Sequence, residues 1–199
     1  MTVLAIDSSG EYGGIAIADS SGLNEEIAVH SPDGFAHLLF GELEQLLIRT
    51  GIRLDEIDAF AAANGPGSFT GVRIALTAAK GLAEAQHKPL FAVSNLQALA
   101  ACGSAPLRAV TLDARRGDIY AAIYNQALEC IGEEIVTQQD RWIKAIPQNA
   151  EIVEARRTVA GAVAKIALSR LSNGEKPDPV SAAANYVRRS DAEMKWTEA

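Results

Sequence analysis

Thr2-Val3-Leu4-Ala5-Ile6-Asp7-Ser8-Ser9-Gly10 is an apolar run that stops in the composition of a tight turn, which predicts a buried strand ending in an Asp-containing turn. Two further strands are expected at Gly14 to Ala18 and Leu23 to Val29, because Asp19-Ser20-Ser21-Gly22 between them is turn chemistry. An opening built as a meander is not a βαβ unit, so a Rossmann arrangement is disfavoured. Helical periodicity takes over from Phe35 to Arg49, followed by a buried strand at Asp58 to Ala63, a glycine-rich loop Gly65-Pro66-Gly67-Ser68-Phe69-Thr70-Gly71, and a helix from Val72 to about Gln86. A strand at Leu90 to Val93 and a short helix from Asn95 to Cys102 close this half.

The opening pattern then returns. Ala109 to Leu112 is an expected strand ending at Asp113-Ala114-Arg115-Arg116-Gly117, and Ile119 to Tyr124 alternates as its hairpin partner. Two strand, Asp-turn, strand units suggest a duplicated fold, with Gly103 to Arg108 as the boundary. The expectation is a first lobe over residues 1–104 and a smaller second lobe over residues 105–199. No strand is legible between Arg141 and Arg157, so the second lobe reads as abbreviated; Thr158 to Leu171 is an amphipathic helix ended by Ser172-Asn173-Gly174.

Composition narrows the function. In 199 residues, 48% apolar content supports a continuous core, and a net charge of −7 opposes the phosphate backbone of nucleic acid, so any role on RNA is expected to run through a partner. Cys102 and Cys130 are far apart, and His30, His37 and His87 form no HxH or HxxxH pair, so neither disulfide nor metal site is indicated. With no basic leader and no membrane-length apolar stretch, the expected location is the cytoplasm.

Two kinds of candidate site follow. The glycine loop opens a helix whose N-terminus, capped by Ser68 or Thr70, suits an anion, although Thr70-Gly71-Val72-Arg73 lacks the lysine of a Walker A loop. Asp7 with Ser8 and Ser9, and Asp113 with Arg115, could face a common cleft and orient magnesium, or each Asp could simply close its own turn. The candidate nucleotide or anion site is therefore Asp7, Ser8, Ser9, Gly65, Gly67, Ser68, Thr70, Asp113 and Arg115. A triad of Ser68, His37 and Asp7 lacks a nucleophile elbow and is discounted. The second kind is an interface. Phe35, Leu38, Leu39, Phe40, Leu43, Leu46 and Leu47 cover more of the first helix than one sheet needs, and small residues line the second. Phe35, Leu39, Phe40, Leu43, Leu47, Arg73, Leu76, Ala79, Lys80 and Ala83 are the expected partner-binding residues, unless the two helices bury each other.

Leu4-Ala5-Ile6-Asp7-Ser8-Ser9, Asn64-Gly65-Pro66-Gly67-Ser68-Phe69-Thr70-Gly71-Val72-Arg73 and Leu112-Asp113-Ala114-Arg115-Arg116-Gly117, with the tail Tyr186-Val187-Arg188, closely resemble the TsaB (YeaZ) family. Asn185 departs from it, standing where proline is usual. The resemblance implies an α/β actin/hexokinase-like fold of two related lobes with a ribonuclease H-like motif. It implies a non-catalytic subunit of the machinery that adds threonylcarbamoyl to tRNA adenosine, docked through first-lobe helices on the transferase TsaD and working with the ATPase TsaE. In that relation TsaD carries an HxExH-type metal motif, where this chain reads Val93-Ser94-Asn95-Leu96-Gln97-Ala98-Leu99. No resident cofactor is expected beyond weak ATP and magnesium binding, and a homodimer is expected when the chain is alone. The competing expectations are an ATP-using enzyme of the same fold class and, argued against by the missing metal motif, a metallopeptidase.

Overall fold

The computed structural model describes residues 1–187; Arg188 of the tail motif and the remainder of the expected second lobe lie outside them. Strands β1 (Thr2–Asp7), β2 (Tyr12–Asp19) and β3 (Gly22–His30) form the expected antiparallel meander. A 3-10 turn at Phe35–His37 and helix α1 (Leu39–Thr50) then lead to β4 (Ala59–Ala63), which pairs parallel with β1. Helix α2 (Phe69–Gln86) crosses to β5 (Leu90–Val93), completing a five-stranded sheet of order β3-β2-β1-β4-β5. Helix α3 (Asn95–Ala100) leads on to the second sheet.

That sheet repeats the first four positions of the order. Strands β6 (Leu107–Asp113), β7 (Asp118–Asn125) and β8 (Ile135–Gln138) are antiparallel, and β9 (Glu151–Val153) returns parallel to β6 after helix α4 (Gln139–Ala145). The order β8-β7-β6-β9 lacks a fifth strand, so the second sheet is a shortened copy. The segment from Arg141 to Arg157 does contain a strand, contrary to expectation. β9 spans only 3 residues, below the length at which alternation can be read, and its place is set by the parallel register with β6. β8, with half-buried and exposed side chains, likewise gives little apolar signal.

Alternation along β1 organises the core. Leu4 and Ile6 face α1 and α2, in a cluster with Phe60, Leu43 and Ala75, while Val3 and Ala5 face the opposite layer with Val163, Ala164 and Ala167 of helix α5 (Ala160–Ser172). Small residues on both α5 and its side of the sheet permit close packing. α5 therefore lies on the first sheet, although it follows the second in sequence. The tail follows it back: Leu90 N–H donates to the Pro177 carbonyl and Asn185 N–H to that of Asn64. On the outer face of the second sheet, Trp142 of α4 packs on Ala109 and Ala121.

Candidate functional site

Two concavities result. The first is a cleft of about 1060 Å³ between the sheets, bounded by the β1–β2 turn, the glycine loop, the β6–β7 hairpin and the loop before α5. Asp7 is 3% exposed, and both of its oxygens are engaged. Ser9 N–H and Oγ–H donate to Oδ1 at 3.0 and 2.6 Å, while Thr158 Oγ1–H and Val159 N–H donate to Oδ2 at 3.0 Å each. A carboxylate has about four acceptor positions, so these donors leave none over for a metal ion. The negative charge at the start of α5 also suits that helix's dipole. Asp7 thus ties the end of β1 to α5, and its expected role in orienting magnesium does not fit this geometry.

The glycine loop is fastened equally tightly. Ser8 Oγ–H donates to the Gly71 carbonyl at 2.7 Å, Ser68 N–H donates to the Ser9 carbonyl at 2.7 Å, and Ser68 Oγ caps α2 by accepting Gly71 N–H. Asn95 accepts Gly65 N–H at 2.8 Å and donates to Ser9 Oγ, joining α3 to the same knot. A Cβ on Gly71 would lie 1.8 Å from the Ser8 carbonyl oxygen, and one on Gly67 would lie 2.8 Å from Ser9 Cβ. The close approach of backbones is what requires these glycines. Ser9, Gly67, Ser68 and Thr70 line the cleft with Asp7, whereas Ser8 and Gly65 stand behind it. Across the cleft Asp113 is exposed and closes its own turn, accepting Arg115 N–H at 2.7 Å. Arg115 and Arg116 have φ of 63° and 59°, a left-handed backbone that costs a non-glycine residue about 1–2 kcal/mol. Arg156 and Arg157, from the loop before α5, line the same cleft and carry no signal in a sequence pattern.

The second concavity is an apolar groove of about 610 Å³ between the start of α1 and the outer side of α2. Its walls include Phe40, which is 60% exposed, and Ile74, Thr77, Ala78, Gly81 and Leu82. The structure corrects the expected interface. Phe35, Leu39, Leu43, Leu76, Ala79 and Ala83 are each 6% exposed or less and form the core under the two helices. Phe40 and Arg73 remain at the surface; Leu47 and Lys80 are half-buried, with Lys80 Nζ donating to the Val180 carbonyl at 3.5 Å. Helical register explains the difference: positions 72, 75, 76, 79 and 83 face the sheet, so 74, 77, 78, 81 and 82 face outward. Thr77 and Gly81, a polar and a side-chain-free position of this helix, lie on that outer face. Phe69 and Thr70 line both concavities, and between them Arg73 lies 3.6 Å above the Phe69 ring while its Nε–H donates to Tyr186 Oη at 3.0 Å.

Other groups are structural. Glu134 accepts from Ser94 Oγ, Tyr124 Oη and Asn185 Nδ2, linking α3, β7 and the tail. A proline at 185 would lack the N–H that bonds Asn64. Burial, and then the bond to Glu134, pushes the Tyr124 phenol well above its ordinary pKa. Among the described residues no group of three or more His, Cys, Asp or Glu side chains gathers to hold a metal ion, and no helix is long and apolar enough to cross a membrane.

Residues 34–176 match the model of the family described as TsaD: tRNA N6-adenosine threonylcarbamoyltransferase. The chain is 34% identical over 142 residues to the tRNA threonylcarbamoyladenosine biosynthesis protein TsaB of Bacillus subtilis, covering 70% of this chain and 62% of that protein. It is 32% identical over 130 residues to TsaB of Escherichia coli, covering 63% of this chain and 56% of that one, so it spans somewhat over half the length of these relatives. A crystal structure of an uncharacterized protein with similarity to peptidase YEAZ, from Pseudomonas aeruginosa, superposes with a TM-score of 0.82 at 28% identity, covering 94% of this chain and 99% of that one. These likenesses and the duplicated strand order place the fold in the actin/hexokinase-like, ribonuclease H-like class.

Proposed function

The chain belongs to the TsaB (YeaZ) family, within the wider TsaD family whose model it matches, and from that premise we propose that it is an accessory subunit of tRNA threonylcarbamoyladenosine synthesis. In this reading it is not itself the catalyst: in the cytoplasm it binds and activates the transferase TsaD, which modifies N6 of the adenosine next to the anticodon, and works with TsaE. The observation that carries the reading is the outer face of α1 and α2. The monomer has already filled its core with the inner faces of these helices, yet Phe40 and the neighbouring groove still present apolar surface to water. Such a groove suits an apolar helix from a partner, with Arg73 at its end to meet a carboxylate. When alone, the chain self-associates through the same face.

The saturated Asp7 supports an accessory role over ATP turnover by this chain, because the carboxylate best placed to orient magnesium is spent on the fold. A reconstituted threonylcarbamoyl-transfer assay tests the reading. Transfer should require this chain together with TsaD, and an Asp7→Asn variant that still folds should retain it. Magnesium-dependent ATP hydrolysis by the chain alone, lost in Asp7→Asn, would instead establish an enzyme.

A further inference from the structure

The groove between α1 and α2 opens beside the place where the described tail ends. After α5 the tail runs along α2: Leu90 N–H donates to the Pro177 carbonyl, Lys80 Nζ to the Val180 carbonyl at 3.5 Å, and Asn185 N–H to the Asn64 carbonyl. Tyr186 then stacks on Phe69, with ring centres 5.2 Å apart, and its Oη accepts Arg73 Nε–H at 3.0 Å. Phe69 and Arg73 are both walls of the groove, so the chain is delivered to its end. Beyond Val187 the sequence continues Arg188-Arg189-Ser190-Asp191-Ala192-Glu193-Met194-Lys195-Trp196-Thr197-Glu198-Ala199. Its two large apolar side chains, Met194 and Trp196, stand among charged neighbours, and with Ala192 they alternate with Glu193, Lys195 and Thr197. Such alternation sets all three apolar side chains on one side of an extended segment.

The segment is long enough to use the whole groove. From Val187 to Trp196 an extended chain spans up to about 30 Å, whereas α2 from Thr70 to Leu82 is about 18 Å long. Tethering also favours this segment over a second copy of the chain, because a short flexible link holds it at an effective concentration on the order of millimolar. A weak apolar contact is then enough to fill the site. We propose that residues 188–199 fold back into the groove of their own chain, with Met194 and Trp196 against Phe40 and the outer side of α2, so that the chain covers its own docking face until a partner displaces the tail. The apolar surface that Phe40 and Leu82 present is thereby removed from water in the free monomer. Docking of TsaD, and self-association through the same face, are both weakened by the fraction of time the tail is seated. The inference rests on the proposed function for what the groove binds, and adds what regulates it.

The tail carries its own probe. The chain has 2 tryptophans, and Trp142 is buried at 6% exposure, so the difference between the wild type and Trp196→Phe isolates the emission of Trp196. In the free full-length chain that emission should be blue-shifted and protected from acrylamide, equally at low and high protein concentration. Thr77→Glu and Phe40→Asp, both at exposed groove positions, should each shift it to the red and open it to the quencher. Titration calorimetry gives the consequence: if the tail is seated nine-tenths of the time, Met194→Ser with Trp196→Ser should bind TsaD about tenfold more tightly than the wild type. Emission of a water-exposed indole in the free wild type would overturn the inference. Protection that survives both groove variants would place the tail elsewhere, in the cleft between the sheets for example, and protection lost on dilution would place it in the groove of a second copy; either result overturns it too, as would equal affinity of the wild type and the double variant for TsaD. A failure of the accessory role itself would show as no binding of TsaD by either chain, a result independent of the fluorescence of the chain alone.

Discussion

Gly71 has room only for hydrogen, because a Cβ there would stand 1.8 Å from a backbone oxygen that four neighbouring hydrogen bonds help to fix. Gly71→Ala should lower unfolding free energy by about 3 kcal/mol, since backbone rather than a flexible side chain must move. Asp7→Ala should cost a similar amount, about 3 kcal/mol, by leaving Ser9 and Val159 N–H groups buried without acceptors. Urea denaturation measures both. The motif around Asp7 was legible as an Asp-closed turn, and the bond from Ser9 N–H shows it closing one. What the sequence could not disclose was Thr158, a partner 151 residues away whose position depends on the packing of α5.

On the scale of elements, α2 shows why apolar content alone misassigns a face. Ala75, Leu76 and Ala79 look like a stripe open to a partner, but that stripe is what covers the sheet, and the face that carries the groove lies one step round the helix. Two substitutions separate the faces. Thr77→Glu, at an exposed groove position, should change stability by no more than about 0.5 kcal/mol while abolishing complex formation. Leu76→Glu, only 6% exposed, should destabilise the chain by about 4 kcal/mol or more by burying an unpaired charge, as thermal melting would record. The strands of the first sheet were readable because each alternates or runs apolar for several residues. β8 and β9 were not, because their pairing is imposed by β7 and β6 and not by their own residues.

Over the whole molecule, Glu134 is where three parts meet: the cap of α3, a strand of the second sheet and the returning tail. Its partner Tyr124 makes this junction sensitive to alkali. Burial and the Glu134 carboxylate favour the neutral phenol in the folded chain, so its folded pKa is raised above the unfolded value of about 10. The associated stability is complete below pH ~10 and is lost as pH rises past it. Melting temperatures from pH 8 to 11 should therefore fall more steeply for the wild type than for Tyr124→Phe. The paired Asp turns anticipated the repeated strand order, and the second sheet repeats the first in shortened form. The return of α5 and the tail to the first sheet was not foreshadowed, since sequence order offers no sign of it. That return leaves the outer groove of α1 and α2 as the apolar surface on which the proposed role depends. The most direct test is size-exclusion chromatography with light scattering on the chain mixed with TsaD from the same source, wild type beside Thr77→Glu. The account predicts a mixed complex for the wild type and separate species for the folded variant; equal complex formation by both, or none by the wild type, would contradict it.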